Sequence, residues 1–210
     1  MLPSSTNVYD AEPLLGLESL GLMHPHWYSA SPEIQRKLIS LFILSLGPKS
    51  PITTLSPTPT SPSAIFETEL NYTRDPHDIA GVLRWGVRHL RLEGSSFGKD
   101  ASSSSEYSWY RSFATSERDA NYPPKAFSQS LVPLLPAAHL PLLTALLDIM
   151  SSLAAHGEAI GTSGSKLSKL FGLWLVSAER ARSSETWTEF YKRWEQAGRI
   201  FEHLFLAYIR

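Results

Sequence analysis

The sequence predicts an all-α protein of about seven to nine helices, and three observations support this. Apolar residues recur at steps of three and four positions over 140–176 and again over 187–208, which is the spacing of one face of an α-helix. Ser31 and Asp75 each stand directly before a proline, and a capping side chain followed by proline is typical of a helix start. No pair of segments alternates apolar and polar residues as two paired strands do.

The composition indicates one folded domain spanning residues 1–210, with no attraction to nucleic acid. Hydrophobic residues make up 42% of the chain and aromatic residues 11%, which is enough to bury a core. Because 19 Lys and Arg oppose 20 Asp and Glu, the chain lacks the basic excess that nucleic-acid binding requires. The absence of cysteine excludes disulfides, thiolate metal ligands and a cysteine nucleophile.

The sequence also predicts a cytoplasmic protein without a membrane segment. The N-terminus lacks the basic and apolar regions of a signal peptide, and the most apolar stretch, 38–46, is far shorter than the ~20 residues of a membrane span. Two segments are expected to form loops outside the helical domain. Residues 47–63 hold five prolines among Ser and Thr, and residues 94–105 are rich in serine.

Several helical segments are expected before the central part of the chain, whereas the stretch 64–72 is too short and mixed to assign. The expected segments are a helix from about Pro32 to Leu46, one beginning at Asp75-Pro76, a short one within 106–117 and proline-broken pieces between 121 and 140.

The centre of the core is expected in two helices between Leu140 and Val176. Residues 161–166, GTSGSK, separate them, and we interpret this break as a helix stop and restart. A phosphate-binding loop would need a different glycine spacing and a preceding strand. The long segment 187–208 carries an aromatic stripe that we expect to pack on this pair.

The residues expected in the core are Leu83, Val87, Leu143, Leu146, Leu147, Met150, Leu170, Phe171, Trp174, Trp194, Phe201 and Leu204. Truncating a large buried side chain costs about 2–5 kcal/mol. We therefore expect Phe171→Ala or Trp194→Ala to abolish soluble expression, and Trp109→Ala to have a smaller effect.

The central pair resembles the domains that activate Rho-type GTPases, in which a helix LLxxLLxxLxxVxxH is followed by a turn and LAxxFGPxL. The matching residues are Leu142, Leu143, Leu146, Leu147 and His156 for the first pattern, and Leu167, Phe171, Gly172 and Leu175 for the second. Ser168 stands at the family's Ala and Leu173 at its Pro. The resemblance implies a RhoGAP-like helical fold.

The helix that begins at Asp75 resembles a second motif of that family, DxHxxAxxLKxYLRELP. The matching residues are Asp75, His77, Ala80, Leu83, Arg88 and Leu90, with Arg84 in place of the Lys. The resemblance implies that Arg84 and Arg88 face a GTPase, and we predict partner binding by these two together with Arg91. From the residues alone, such an arginine row fits either a solvated face or a surface that recognises phosphate or acidic groups.

A further resemblance is to a fungal family, the domain shared by the multicopy-suppressor-of-budding and meiotically up-regulated proteins, which is itself RhoGAP-like. It rests on SSLAAHG at 151–157, GSKLSKLFGLWL at 164–175 and FYKRWEQAGRIFEHLFLAYIR at 190–210. This resemblance implies a role in polarised growth and Rho-type GTPase signalling, at the cell cortex or a site of polarised growth.

The chain lacks an arginine at the position where the active GTPase-activating family has its catalytic one, and this predicts that the chain is not an enzyme. The family's arginine lies in a loop Gly-[Leu/Ile]-[Phe/Tyr]-Arg-x-x-Gly, and the best candidate here, Gly21 to His26, has His24 in its place. Trp174 replaces the family's Asn after FGP. Since an inserted arginine accelerates hydrolysis by about 10³–10⁵-fold, we predict no catalytic residue. We also predict no cofactor and no metal, because His24 and His26 lack a third ligand nearby.

Three functions are compatible with the sequence. The missing arginine favours a non-catalytic adaptor that binds a Rho-type small GTPase or another polarity partner. The second function is that of an active GTPase activator, which requires that another arginine of the chain acts as the inserted catalytic arginine, the arginine finger. A structural module or gene fragment that contacts no GTPase also remains open.

Overall fold

A computed structural model of the chain describes residues 22–23, 30–46, 61–89, 107–176 and 184–210. All regular structure in these residues is helical, which confirms the all-α prediction and its range of helix number. The helices are α1 (Pro32–Ser45), α2 (Pro62–Tyr72), α3 (Pro76–His89), α4 (Ser108–Asp119), α5 (His139–Ala155), α6 (Gly157–Ile160), α7 (Gly164–Val176) and α8 (Trp187–Ile209), with a π-helical turn at Phe127–Leu131 and a 3₁₀ turn at Val132–Leu134.

The chain divides into two compact units, Met1–Gly86 and Val87–Arg210, and the boundary falls within α3. That residues 1–210 form a single domain stays a prediction. The expected loop at 94–105 lies outside the described residues, as does most of the expected linker at 47–63.

Local capping side chains determine where the helices of the first unit begin. The Ser31 hydroxyl accepts a hydrogen bond from the Ile34 amide, and α1 begins at Pro32 as predicted. Ser61 caps α2 in the same way, with Pro62 at the first helical position. The predicted linker therefore extended too far, because residues 62 and 63 form the first turn of α2; proline is tolerated there since its missing N–H has no helical partner.

In the second unit, the closest helix pair is α7 and α8, which pack against each other more extensively than either packs on α5. Glycines allow this approach. A Cβ atom on Gly172 would lie 2.5 Å from the Ala197 carbonyl oxygen, and one on Gly198 would lie 2.9 Å from Lys169 Cγ. The two helices expected at the centre, α5 and α7, are both present. However, α7 packs mainly on α8 rather than on α5.

Most of the predicted core is buried, and the exceptions lie at the margins of the apolar stripes. The confirmed residues are Val87, Leu143, Leu146, Leu147, Met150, Phe171, Phe201 and Leu204. The prediction was wrong for Leu83, Leu170, Trp174 and Trp194, which are only partly buried. It also underrated Trp109, which is 3% exposed, so Trp109→Ala should be at least as costly as Trp194→Ala.

The break between α5 and α7 is a helix stop and restart, as predicted. Gly161 ends α6 with φ 68°, a left-handed conformation that glycine adopts without a steric penalty. The Ser163 hydroxyl then accepts a hydrogen bond from the Lys166 amide at the start of α7. The segment 161–166 therefore connects two helices, whereas a phosphate-binding loop would follow a strand.

The aromatic helix α8 begins at a capping box formed by Thr186 and Glu189. Its second half packs in the core, but Trp187 is 77% and Tyr191 46% exposed, so the aromatic stripe is buried over only part of its length. In the part of the chain that the structure describes, no helix is both long and apolar enough to cross a lipid bilayer.

Candidate functional site

The predicted partner-binding arginines lie on α3, apart from Arg91, which is outside the described residues. Asp75 starts this helix, since its Oδ1 accepts a hydrogen bond from the His77 amide at 2.8 Å. Arg84 is partly buried and Arg88 is exposed. Their role in binding a partner stays a prediction.

Arg88 contacts Trp174 on α7. The Arg88 guanidinium carbon lies 5.2 Å from the centroid of the indole ring, within the range of a cation–π interaction. Both residues belong to the second unit. The contact joins the two motifs on which the resemblance to Rho GTPase-activating domains rests, at the position where Trp174 replaces that family's Asn.

The other α7 motif residues serve the core rather than a site. Phe171 and Leu173 are at most 1% exposed, and Ser168 is fully buried. Gly172 provides the close contact with α8 described above. These motif residues therefore have a packing role between α7 and α8.

The loop that resembles an arginine-finger loop is described only at Leu22 and Met23, whereas His24 and His26 lie outside the described residues. Met23 is 4% exposed and has φ 68°. A left-handed backbone is unusual for a residue other than glycine.

Sequence reasoning missed a buried polar network in the second unit. Glu117 on α4 is fully buried; its carboxylate lies 2.6 Å from His203 Nε2 and accepts a hydrogen bond from Arg210. His203 Nδ1 lies 2.9 Å from the Tyr110 hydroxyl. The partners are 86 and 93 positions apart in the chain, so no local pattern could have revealed them.

Burial raises the pKa of Tyr110, and the negative charge of Glu117 adds to this effect. The phenol is thus held protonated, which suits a hydrogen-bonding group better than a nucleophile. In the first unit, desolvation likewise raises the pKa of Asp78, although the Ser31 amide donates to its Oδ1 at 2.6 Å. Among the described residues, no group of three His, Asp or Glu side chains could hold a metal ion.

Residues 104–210, half of the chain, match the family model described as the meiotically up-regulated protein Msb1/Mug8 domain. The match includes α4 to α8 and therefore two of the helices, α7 and α8, on which the resemblance to the multicopy-suppressor-of-budding and meiotically up-regulated proteins rests. That resemblance is confirmed. No curated protein and no solved structure was found to match the chain.

Proposed function

Because this chain belongs to the Msb1/Mug8 domain family, we propose that it is a non-catalytic, RhoGAP-like adaptor. It binds a Rho-type small GTPase and acts in fungal polarised-growth signalling, in the cytoplasm or at the cell cortex. The family name connects the chain to meiotically up-regulated proteins; the GTPase partner is our inference.

The observation that carries the proposal is the contact of Arg88 with Trp174. An aromatic face beneath a guanidinium restricts the orientation of the side chain. Arg88 is exposed although it packs on the ring. A restrained, exposed arginine is well suited to a carboxylate or phosphate on a partner, because less side-chain entropy is lost when the contact forms.

The adaptor lacks the group that catalysis in trans requires. A GTPase activator inserts an arginine beside the transferred phosphoryl group, where it neutralises charge that develops in the transition state. The sequence has His24 where the resembling loop has its arginine, and Arg36 is the only arginine before residue 74. Arg36 lies within α1 rather than on a loop.

The test is binding to a panel of Rho-type GTPases loaded with a non-hydrolysable GTP analogue, measured by calorimetry. We expect one or more to bind, and the double variant Arg84→Glu, Arg88→Glu to weaken that affinity by about tenfold or more, because reversed charges repel an acidic partner. The matched control is Arg36→Glu with Lys125→Glu, which makes the same change in net charge at two exposed positions elsewhere.

A second variant separates binding from folding. Arg88→Lys keeps the charge but loses the planar group that stacks on Trp174, so we expect an intermediate affinity with an unchanged circular dichroism spectrum. If the double variant bound as tightly as the parent, or if the control lost as much affinity, Arg84 and Arg88 would be ordinary solvated residues. Failure of the whole panel to bind would exclude the GTPase partner.

A further inference from the structure

Five serines or threonines of this chain stand directly before a proline: Ser31, Ser50, Ser56, Thr58 and Ser61. The structure describes Ser31 and Ser61, which both belong to the first unit. Their backbones are extended, with φ −84° and ψ 117° at Ser31 and φ −68° and ψ 141° at Ser61, as proline favours in the residue before it. A serine followed by proline is the acceptor of proline-directed protein kinases, so the surroundings of these two hydroxyls can be compared.

Ser61 stands at an exposed helix start. Ser61, Pro62 and Ser63 are all exposed, and the Ser61 hydroxyl accepts a hydrogen bond from the Ala64 amide at 3.1 Å. Accepting this bond does not use the hydroxyl proton, which is the atom that phosphorylation removes. A kinase that binds an extended segment must open the first turn of α2. Helix ends open more readily than helix interiors, and this turn has little packing to lose.

Ser31 has the same motif and the same capping role, but its surroundings are acidic. It is half-buried, and its backbone amide donates a hydrogen bond to Asp78 Oδ1 at 2.6 Å. The Asp78 side chain belongs to a residue that is only 1% exposed. A phosphoryl group beside a carboxylate is disfavoured by like-charge repulsion and by the cost of desolvation. The fold therefore opposes modification of Ser31.

We propose that Ser61 is a phosphorylation site for a proline-directed protein kinase, that Ser31 is not modified in the folded chain, and that the phosphate stabilises the start of α2. In this reaction the Ser61 hydroxyl oxygen bonds to the γ-phosphorus of ATP. The bond from that phosphorus to the β,γ-bridging oxygen breaks, ADP leaves, and the hydroxyl proton passes to the catalytic carboxylate of the kinase. The proposal is independent of the GTPase contact.

The phosphate would act on the backbone amides of the first turn of α2. The Ile65 amide donates the first helical hydrogen bond, to the Ser61 carbonyl, so the amides of Ser63 and Ala64 have no carbonyl acceptor within the helix. A phosphoserine carries about −1.5 to −2 charges at neutral pH, which is favourable at a helix N-terminus. The Glu67 carboxylate, which accepts a hydrogen bond from the Ser63 hydroxyl at 3.4 Å, is exposed, so solvent screens its repulsion.

The first experiment measures where a proline-directed kinase places phosphate. The full chain with Ser50, Ser56 and Thr58 changed to Ala is treated with kinase and ATP, and mass spectrometry gives the occupancy of the two remaining motifs. Peptides 27–36 and 57–66 of this variant give the preference of the kinase for each local sequence. We expect the occupancy ratio of Ser61 to Ser31 in the chain to exceed the ratio in the peptides by about tenfold or more.

Two proline variants serve as a matched pair. Pro62→Ala keeps the Ser61 hydroxyl and a residue that is tolerated at the first helical position, but it removes the kinase motif. We expect this variant to lose most of the phosphate from Ser61 while its circular dichroism spectrum stays unchanged. Pro32→Ala makes the same change at the start of α1 and should leave the phosphate on Ser61 unchanged.

The second experiment measures the effect of the phosphate on the helix. Protection factors from hydrogen exchange are compared between the phosphorylated chain and the same sample after phosphatase treatment. We expect those of the Ile65 and Phe66 amides to rise by about two- to fivefold, the effect of a favourable charge at a helix end, and those of α7 to stay constant. Absence of phosphate from Ser61, an occupancy ratio equal to that of the peptides, or unchanged protection of Ile65 would each overturn the proposal.

Discussion

At the scale of single residues, two glycines determine how closely α7 and α8 approach. Gly172 faces the backbone of Ala197 and Gly198, and a Cβ atom there would meet backbone atoms at 2.5–2.9 Å. Backbone atoms cannot move aside as the end of a flexible side chain can. The absence of a side chain at position 172 is therefore part of the core packing.

Gly172→Ala should destabilise the protein by about 3 kcal/mol, because over-packing forces the two helices apart. Gly86→Ala is the matched control, since Gly86 lies in the interior of α3 with nothing within 4 Å of a Cβ atom. We expect this variant to gain about 0.5–1 kcal/mol from the lower chain entropy of the unfolded state. Urea denaturation followed by circular dichroism measures both. Equal stability of Gly172→Ala and the parent would contradict the close helix crossing.

At the scale of an element, α8 is defined at its start by polar contacts and along its length by packing. The Thr186 amide and hydroxyl each donate to the Glu189 carboxylate at 2.8 Å, and the Glu189 amide donates back to the Thr186 hydroxyl. One turn further on, Arg193 makes two hydrogen bonds of 2.7 Å with the Glu185 carboxylate, and both side chains are buried. These contacts connect the entry of α8 to the preceding chain.

The capping box makes the start of α8 sensitive to acid. Hydrogen bonds from Thr186 hold the pKa of Glu189 below its ordinary value of 4.5, so the capping contribution is complete above that pH and is lost as the pH falls through the lowered pKa. Glu189→Gln keeps a capping side chain without a titrating group. We expect the protection factors of the first-turn amides of α8, which correct for the intrinsic pH dependence of exchange, to fall below about pH 4.5 in the parent and to depend less on pH in the variant. The same acid dependence in both proteins would contradict this role.

At the scale of the whole molecule, the second unit contains most of the features that suggest function. The family match at 104–210 and the Arg88–Trp174 contact both lie within Val87–Arg210. The first unit contributes Arg84 and the segment Gly21 to His26, which resembles an arginine-finger loop in sequence. The adaptor proposal therefore requires the full chain.

We predict that the full chain leaves GTP hydrolysis by a bound GTPase within about tenfold of its intrinsic rate, because the proposed adaptor would not supply the ~10³-fold or larger effect of an inserted arginine. Single-turnover phosphate release measures this, with an active Rho GTPase-activating domain as the positive control. Stimulation of about a thousandfold would refute the adaptor function and establish a finger elsewhere in the chain.

The sequence alone was sufficient for the helical class and for most helix starts. Ser31, Asp75 and the GTSGSK break act on backbone groups within a few residues of themselves, so their effect is visible in the local pattern. The motifs at 151–157, 164–175 and 190–210 likewise predicted the family. The predicted end of the linker was wrong at residues 62–63. A Ser-Pro pair occurs both in linkers and at the first position of a helix, so the local sequence does not distinguish the two.

The tertiary structure alone decided which faces are buried and which polar groups meet. Trp109 and Trp194 are similar in local pattern, yet only Trp109 is deeply buried, because burial depends on elements that arrive from distant parts of the chain. The Glu117–His203 pair also forms between two segments that are far apart in the chain, 86 positions from each other. Periodicity identifies the face of a helix that must be covered, but the partner that covers it is selected by packing between segments far apart in sequence.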